Sequence, residues 1–197
     1  MDISTLNYYN KNAKAYIQET SLLDMSLIYE RFLRHIPEKG ILLDAGCGSC
    51  RDTLYFNSLG YRVHAIDASI DLVAQAQKTF SFPIECISFQ QFLMPNQFDG
   101  IWACASLLHL KRKELLSIVE HLQRSLTSDG VFYCSFKYGT EERVDNRERW
   151  FTDMNEESLR ELLEPYFTAI DIFITEGHNQ KWCNAIAKGQ KEKSLWL

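Results

Sequence analysis

Apolar runs of four to seven residues alternate with longer amphipathic stretches along most of the chain, an alternation that predicts strands joined by helices. Two helical patterns occupy the first 37 residues. In the second, Leu22, Met25, Tyr29, Phe32 and Ile36 recur at spacings of three and four and so share one face, and Pro37 with Gly40 ends the helix. The first, Leu6 to Ile17, is rich in tyrosine and amide side chains; it reads equally as a lid over a ligand or as an ordinary terminal helix. Strands follow at Ile41 to Ala45, Arg62 to Asp67, Pro83 to Phe89, Ile101 to Ala105 and Val131 to Phe136. Between them fall a helix from Thr53 to Leu59 ended by Gly60, one capped by Ser69 with Asp71 in its first turn, and one opened by Lys111, Arg112 and Lys113. The apolar positions of that last helix are Leu115, Val119, Leu122 and Leu126, and Asp129 with Gly130 turns into the fifth strand.

The segment from Lys137 to Arg149 is too polar for a core and predicts a loop, over residues 137–152, lying above the carboxyl edge of the sheet. Asp153 to Glu156 has capping-box spacing before Leu159, Leu162 and Leu163. The final strands, Ala169 to Thr175 and Trp182 to Ala187, have nothing helical between them and should pair as a hairpin. The expected fold is therefore α/β: a Rossmann-like, seven-stranded, mostly parallel sheet with an antiparallel last strand and helices on both faces, in one domain over residues 1–197.

Composition narrows the function. A chain of 197 residues with 46% hydrophobic and 24% charged side chains can bury a full core. The net charge of −5 argues against a protein that coats duplex nucleic acid by its field alone. Neither a membrane-length apolar run nor a signal-peptide pattern at the amino terminus is present, so a cytoplasmic protein without membrane contact is expected, as monomer or homodimer. The six cysteines fall mostly in apolar runs and read as buried thiols, not a disulfide framework.

The most informative stretch runs from Ile41 to Arg51. A buried strand reaches an acid at Asp44 and turns through Gly46 and Gly48, where a backbone without Cβ lets a ligand come close. A dinucleotide fingerprint requires a third glycine where this chain has Arg51, and it leaves Asp44 unexplained. Asp67, 19 residues after Gly48 at the tip of the second strand, is placed to accept from a ribose diol, or is a solvated strand-end carboxylate. Asp44, Gly46 and Gly48 resemble motif I of the class I S-adenosylmethionine-dependent methyltransferases, with Cys50 in place of the last glycine. The resemblance extends from about Leu42 to Lys188, and the terminal hairpin fits that family where it does not fit a dinucleotide fold. Gly46-Cys47-Gly48 with Arg51, followed by the helix through Phe56, is most similar to the small tellurite-resistance-like members.

That resemblance implies S-adenosylmethionine as cofactor, S-adenosylhomocysteine as its product, and in-line transfer to an acceptor. It implies cofactor contacts from Asp44, Gly46, Cys47, Gly48, Arg51, Asp67, Ala68, Gln91 (with Gln90 close behind), Phe92, Ala103 and Tyr16. His109 is the candidate to orient the acceptor or take its proton, against a structural histidine near a helix start. Tyr9, Ser106, Lys137, Arg147 and Arg149 are candidate substrate contacts, the arginines as bidentate grips on a carboxylate or phosphate. A small-molecule acceptor is expected. The alternatives are methylation of tRNA or another macromolecule, an NAD(P)-dependent oxidoreductase, or a cofactor-binding protein without turnover. Cys47 and Cys50 also have the spacing of a redox pair. No metal is expected, because His64, His109, His121 and His178 are scattered.

Overall fold

The computed structural model describes residues 2–177 and 180–191. It opens with α1 (Ile3–Thr20), whose Asp2 cap accepts the Ser4 N–H at 3.1 Å, and α2 (Ser26–Leu33). Then come β1 (Ile41–Ala45), α3 (Arg51–Ser58), β2 (Arg62–Asp67), α4 (Ile70–Gln77), β3 (Ile84–Cys86) and β4 (Phe98–Ala103). A 3-10 turn (Leu107–His109) leads into α5 (Arg112–Gln123) and β5 (Leu126–Lys137). The chain continues through β6 (Glu142–Val144), β7 (Trp150–Thr152), α6 (Glu156–Leu163), β8 (Phe167–Gly177) and β9 (Gln180–Gln190).

Seven strands form one sheet in the order β3-β2-β1-β4-β5-β9-β8. β9 runs antiparallel to both β5 and β8, which makes the sheet otherwise parallel, as the terminal hairpin requires. Successive residues of the central strands point to opposite faces and build two cores. Leu43, Ile101 and Phe132 pack with Leu115, Val119 and Leu159 of α5 and α6, whereas Leu42, Trp102 and Tyr133 pack with Tyr29, Phe32 and Phe56 of α2 and α3. Strands covered on both sides read as continuous apolar runs, which is why β1 and β4 were visible in the sequence.

Several boundaries differ from expectation. Leu22 is 93% exposed, because α1 runs to Thr20 and the chain turns before α2 begins at Ser26. β4 stops at Ala103, since Ala105 takes a positive φ of 50° that no strand accommodates. β3 keeps three residues. β5 starts at Leu126, so Leu126 belongs to the strand and Asp129 with Gly130 lies within it, beside a register shift between Phe98 and Gly100 of β4. The polar segment is not a loop: β6 and β7 pair antiparallel, Arg143 opposite Phe151. The cap of α6 is Asn155, reciprocated by Ser158, because Asp153 is held by Arg143 at 2.9 and 3.2 Å. His178 lies outside the described residues.

Candidate active site

The turn after β1 is fastened to β2. Gly46 and Cys47 both donate to the Ile66 carbonyl at 2.9 Å, and Asp67 accepts from Gly48 N–H at 3.0 Å and Ser69 N–H at 2.8 Å. Both loops at the carboxyl end of the sheet are thus held by one carboxylate. Gly46 and Gly48 have φ of 82° and 51°, in the left-handed region that favours glycine. Beneath them Asp44 is buried and accepts from the Thr53 hydroxyl at 2.5 Å. Burial, and then the neighbouring Asp52, hold its carboxyl well above the usual range.

A cavity of about 530 Å³, a volume that includes open solvent at its mouth, lies over this turn. The turn contributes Gly46 and Gly48 to its wall, the end of β2 and the residue after it contribute Asp67 and Ala68, and α1 lays Tyr9 and Tyr16 across it. Ser106 and His109 close the side nearest β4. Ile87, Phe89 and Gln90, past β3, form the opposite wall with Leu72. A Cβ on Gly46 would stand 2.5 Å from the Ser106 Cβ, and one on Gly48 would stand 3.1 Å from Tyr16 Cε1. The backbone therefore comes as close to the cavity as glycine alone permits.

His109 is buried at the roof. Its Nδ1 faces the Trp150 carbonyl at 2.7 Å, and a carbonyl only accepts, so Nδ1 carries the proton and Nε2 accepts the Tyr9 hydroxyl at 2.7 Å. Burial lowers its pKa to about 3, and burial raises that of Tyr9 to about 12. Imidazole and phenol are both neutral near pH 7. Trp150 N–H donates to the Thr5 hydroxyl at 2.7 Å, which ties α1 to β7 above the cavity.

Other predicted site residues lie elsewhere. Phe92 is core, packed on Phe98, and its carbonyl meets His121. Ala103 is core as well, and Ala105 takes the cavity position because the chain leaves the strand between them. Gln91 is exposed and accepts from Ser88 Oγ at 2.8 Å, which leaves Gln90 on the wall. Arg51 grips Asp52 at 2.7 and 2.9 Å, and Asp52 also accepts from Trp102 Nε1 at 2.8 Å and the Tyr29 hydroxyl. Arg147 contacts the Tyr8 hydroxyl at 3.0 Å and Glu19 at 3.7 Å; Arg149 pairs with Asp145 at 2.7 Å. Lys137 lies 3.7 Å above the Phe151 ring. Cys47 and Cys50 are buried free thiols with sulfurs 3.7 Å apart, and the Cys50 thiol and burial push Cys47 well up, the opposite of a reactive thiolate pair. Leu72, Ile87, Phe89 and Ala105 were missed. A helical period could have suggested Leu72, but nothing in the sequence signals the positive φ of Ala105.

A doubly covered sheet in this strand order, with an acid-anchored glycine turn under a cavity, defines a nucleotide-type α/β site at the carboxyl edge. Known proteins agree. The family described as Methyltransferase domain matches residues 42–130. An uncharacterized methyltransferase of Staphylococcus carnosus is 26% identical over 182 residues, 88% of this chain and 85% of that one. Among solved structures, the 1,6-didemethyltoxoflavin N1-methyltransferase of Burkholderia thailandensis superposes with a TM-score of 0.75 at 22% identity, over 94% of this chain and 85% of that one. TehB of Haemophilus influenzae gives a TM-score of 0.67 at 19% identity, over 92% and 66%. Together with the domain match over residues 42–130, these likenesses support the chain as a class I S-adenosylmethionine-dependent methyltransferase.

Its own residues fit that cofactor: the glycine turn leaves room for close approach, Asp67 offers a carboxylate on the wall, and the buried Ser106 Oγ has no partner among the described residues. No helix among the described residues is long and apolar enough to cross a membrane.

Proposed function

We propose that the methyl group goes to a small molecule bound beneath Tyr9, between the cofactor and the β6–β7 hairpin. The observation that carries this reading is the roof, where the bonds of Thr5 and Tyr9 to Trp150 and His109 join α1 to β7 over the cavity. A polymer would have to displace that roof, and a compact acceptor would not. The Burkholderia relative in fold has 1,6-didemethyltoxoflavin bound, which supports the same reading. A net charge of −5 gives no help to a nucleic-acid acceptor.

The bound cofactor supplies an electrophilic methyl on a sulfonium, so the protein has to align and to exclude water. In this reading Asp67 accepts from the ribose diol, and Gly46 and Gly48 admit the cofactor to the backbone. Asp44, through Thr53, stiffens the turn from below. Ile87 and Phe89 make an apolar wall for the base, with Gln90 at its polar edge. Tyr16 covers the turn, α1 acts as the lid, and the hairpin over residues 137–152 forms the acceptor side. His109 fixes Tyr9 in place, which makes it a positioning residue; neutral and fully bonded, it is poorly suited to take a proton. All six cysteines are free thiols, which suits a reducing compartment, and we assign the activity to the cytoplasm.

The test is labelled-methyl transfer into a cell extract divided by an ultrafilter that retains proteins and tRNA. Label in the filtrate is expected; label only in the retentate would replace this reading with a macromolecular acceptor.

A further inference from the structure

We propose that the acceptor binds as an anion, with its negative charge facing the Lys137 ammonium beside Phe151. This rests on the small-molecule reading and specifies the chemical class. Three cations surround the Phe151 ring: Lys137 at 3.7 Å from its centroid, Arg149 at 5.0 Å and Arg143 at 5.2 Å. The arginines are already neutralised. Arg143 holds Asp153 at 2.9 and 3.2 Å, and Arg149 holds Asp145 at 2.7 and 3.1 Å. Lys137 has no carboxylate partner among the described residues, so the cluster carries one uncompensated positive charge. A half-buried ammonium between two guanidinium groups is costly to keep charged, and burial and those arginines lower its pKa. An anion would relieve both penalties.

The cluster adjoins the site already described. The Phe151 ring lies 4.8 Å from that of His109, and His109 and Tyr9 line the cavity. On the cavity wall, the Ser106 hydroxyl is buried without a partner among the described residues and has a proton to donate. A lone donor on the cavity wall and an unpaired cation stacked on Phe151, next to His109, favour a negatively charged guest over a neutral one.

Chemistry points the same way, because His109 is not placed to act as a base. His109 Nε2 already accepts from Tyr9, and Nδ1 is fixed on Trp150. An acceptor that arrives as a carboxylate, enolate, phenolate or thiolate needs none. Its free electron pair forms the bond to the methyl carbon, the carbon–sulfur bond breaks, and the pair remains on sulfur as a neutral thioether. No proton has to leave.

Fluorine NMR of the S-adenosylhomocysteine-saturated protein tests this with two probes of matched shape, 4-fluorobenzoate and 4-fluorobenzyl alcohol. The benzoate is expected to bind at least about tenfold tighter than the alcohol, with Lys137→Gln removing that preference and Lys137→Arg keeping it. Unchanged S-adenosylhomocysteine affinity in both variants shows an intact fold. Equal binding of the two probes, no binding of the benzoate, or a preference that survives in Lys137→Gln overturns the proposal. Label found only in macromolecules would overturn the small-molecule reading instead, whichever way the probes bind.

Discussion

The Tyr9 hydroxyl lies 2.7 Å from His109 Nε2, across 100 residues of chain. The imidazole has no freedom left, because its Nδ1 donates to the Trp150 carbonyl. One ring thereby joins the first helix, the turn after β4 and the β6–β7 hairpin beside the cavity.

Removing the hydroxyl should be felt in stability. Tyr9→Phe leaves a buried Nε2 without its donor, at an expected cost of about 1–3 kcal/mol in urea unfolding. Tyr8→Phe, whose hydroxyl meets the exposed Arg147, should stay within about 0.5 kcal/mol of wild type.

His109 also sets a pH dependence. Its folded pKa of about 3 lies below the ordinary 6.5, so between these values the unfolded chain binds a proton that the folded chain refuses. Stability from this group is full above about pH 6.5 and falls on acidification at up to about 1.4 kcal/mol per pH unit. Urea unfolding at pH 7 and pH 5 should show that loss in wild type and a smaller one in His109→Gln.

Asp52 ties α3 to α2 and β4 on one face of the sheet more firmly than the pattern of the sequence suggests. It accepts from Arg51, Trp102 and Tyr29, and it is buried. Asp52→Ala would leave Arg51 unpaired, and a loss of about 3–5 kcal/mol is expected, read from the denaturant midpoint.

The sheet and the glycine turn were legible in the sequence because their signals are local. β1, β2 and β4 are short apolar runs, Ser69 caps α4 as its position implies, and Asp67 follows the glycines at the tip of the next strand. The acceptor side was less legible. Whether Arg147 or Arg149 is free depends on where Glu19, Tyr8 and Asp145 fold, and a charge count cannot say which of several cations keeps no partner. The hairpin inside a polar segment was hidden for the same reason, since β6 and β7 have three residues each and their pairing is tertiary. Phe92 and Ala103 adjoin the cavity lining in sequence but lie in the core, since a shift of one or two residues in a strand or loop turns a side chain from cavity to core.

The turn itself can be tested by crowding it. Gly46→Ala would force a Cβ to 2.5 Å from the Ser106 side chain at a positive φ, so the rise in melting temperature on adding S-adenosylhomocysteine should vanish. Gly60→Ala also has a positive φ, but nothing lies within 4 Å of its new Cβ. It should lower the melting temperature modestly and keep the ligand-induced rise.

The cofactor assignment of the cavity stands or falls with Asp67, which holds both turns and faces the site. Calorimetric titration of S-adenosylhomocysteine into wild type and Asp67→Ala tests it most directly. The account predicts one site per chain in wild type and affinity at least about tenfold weaker in the variant. Equal affinity in the two proteins would contradict it and move the cofactor elsewhere.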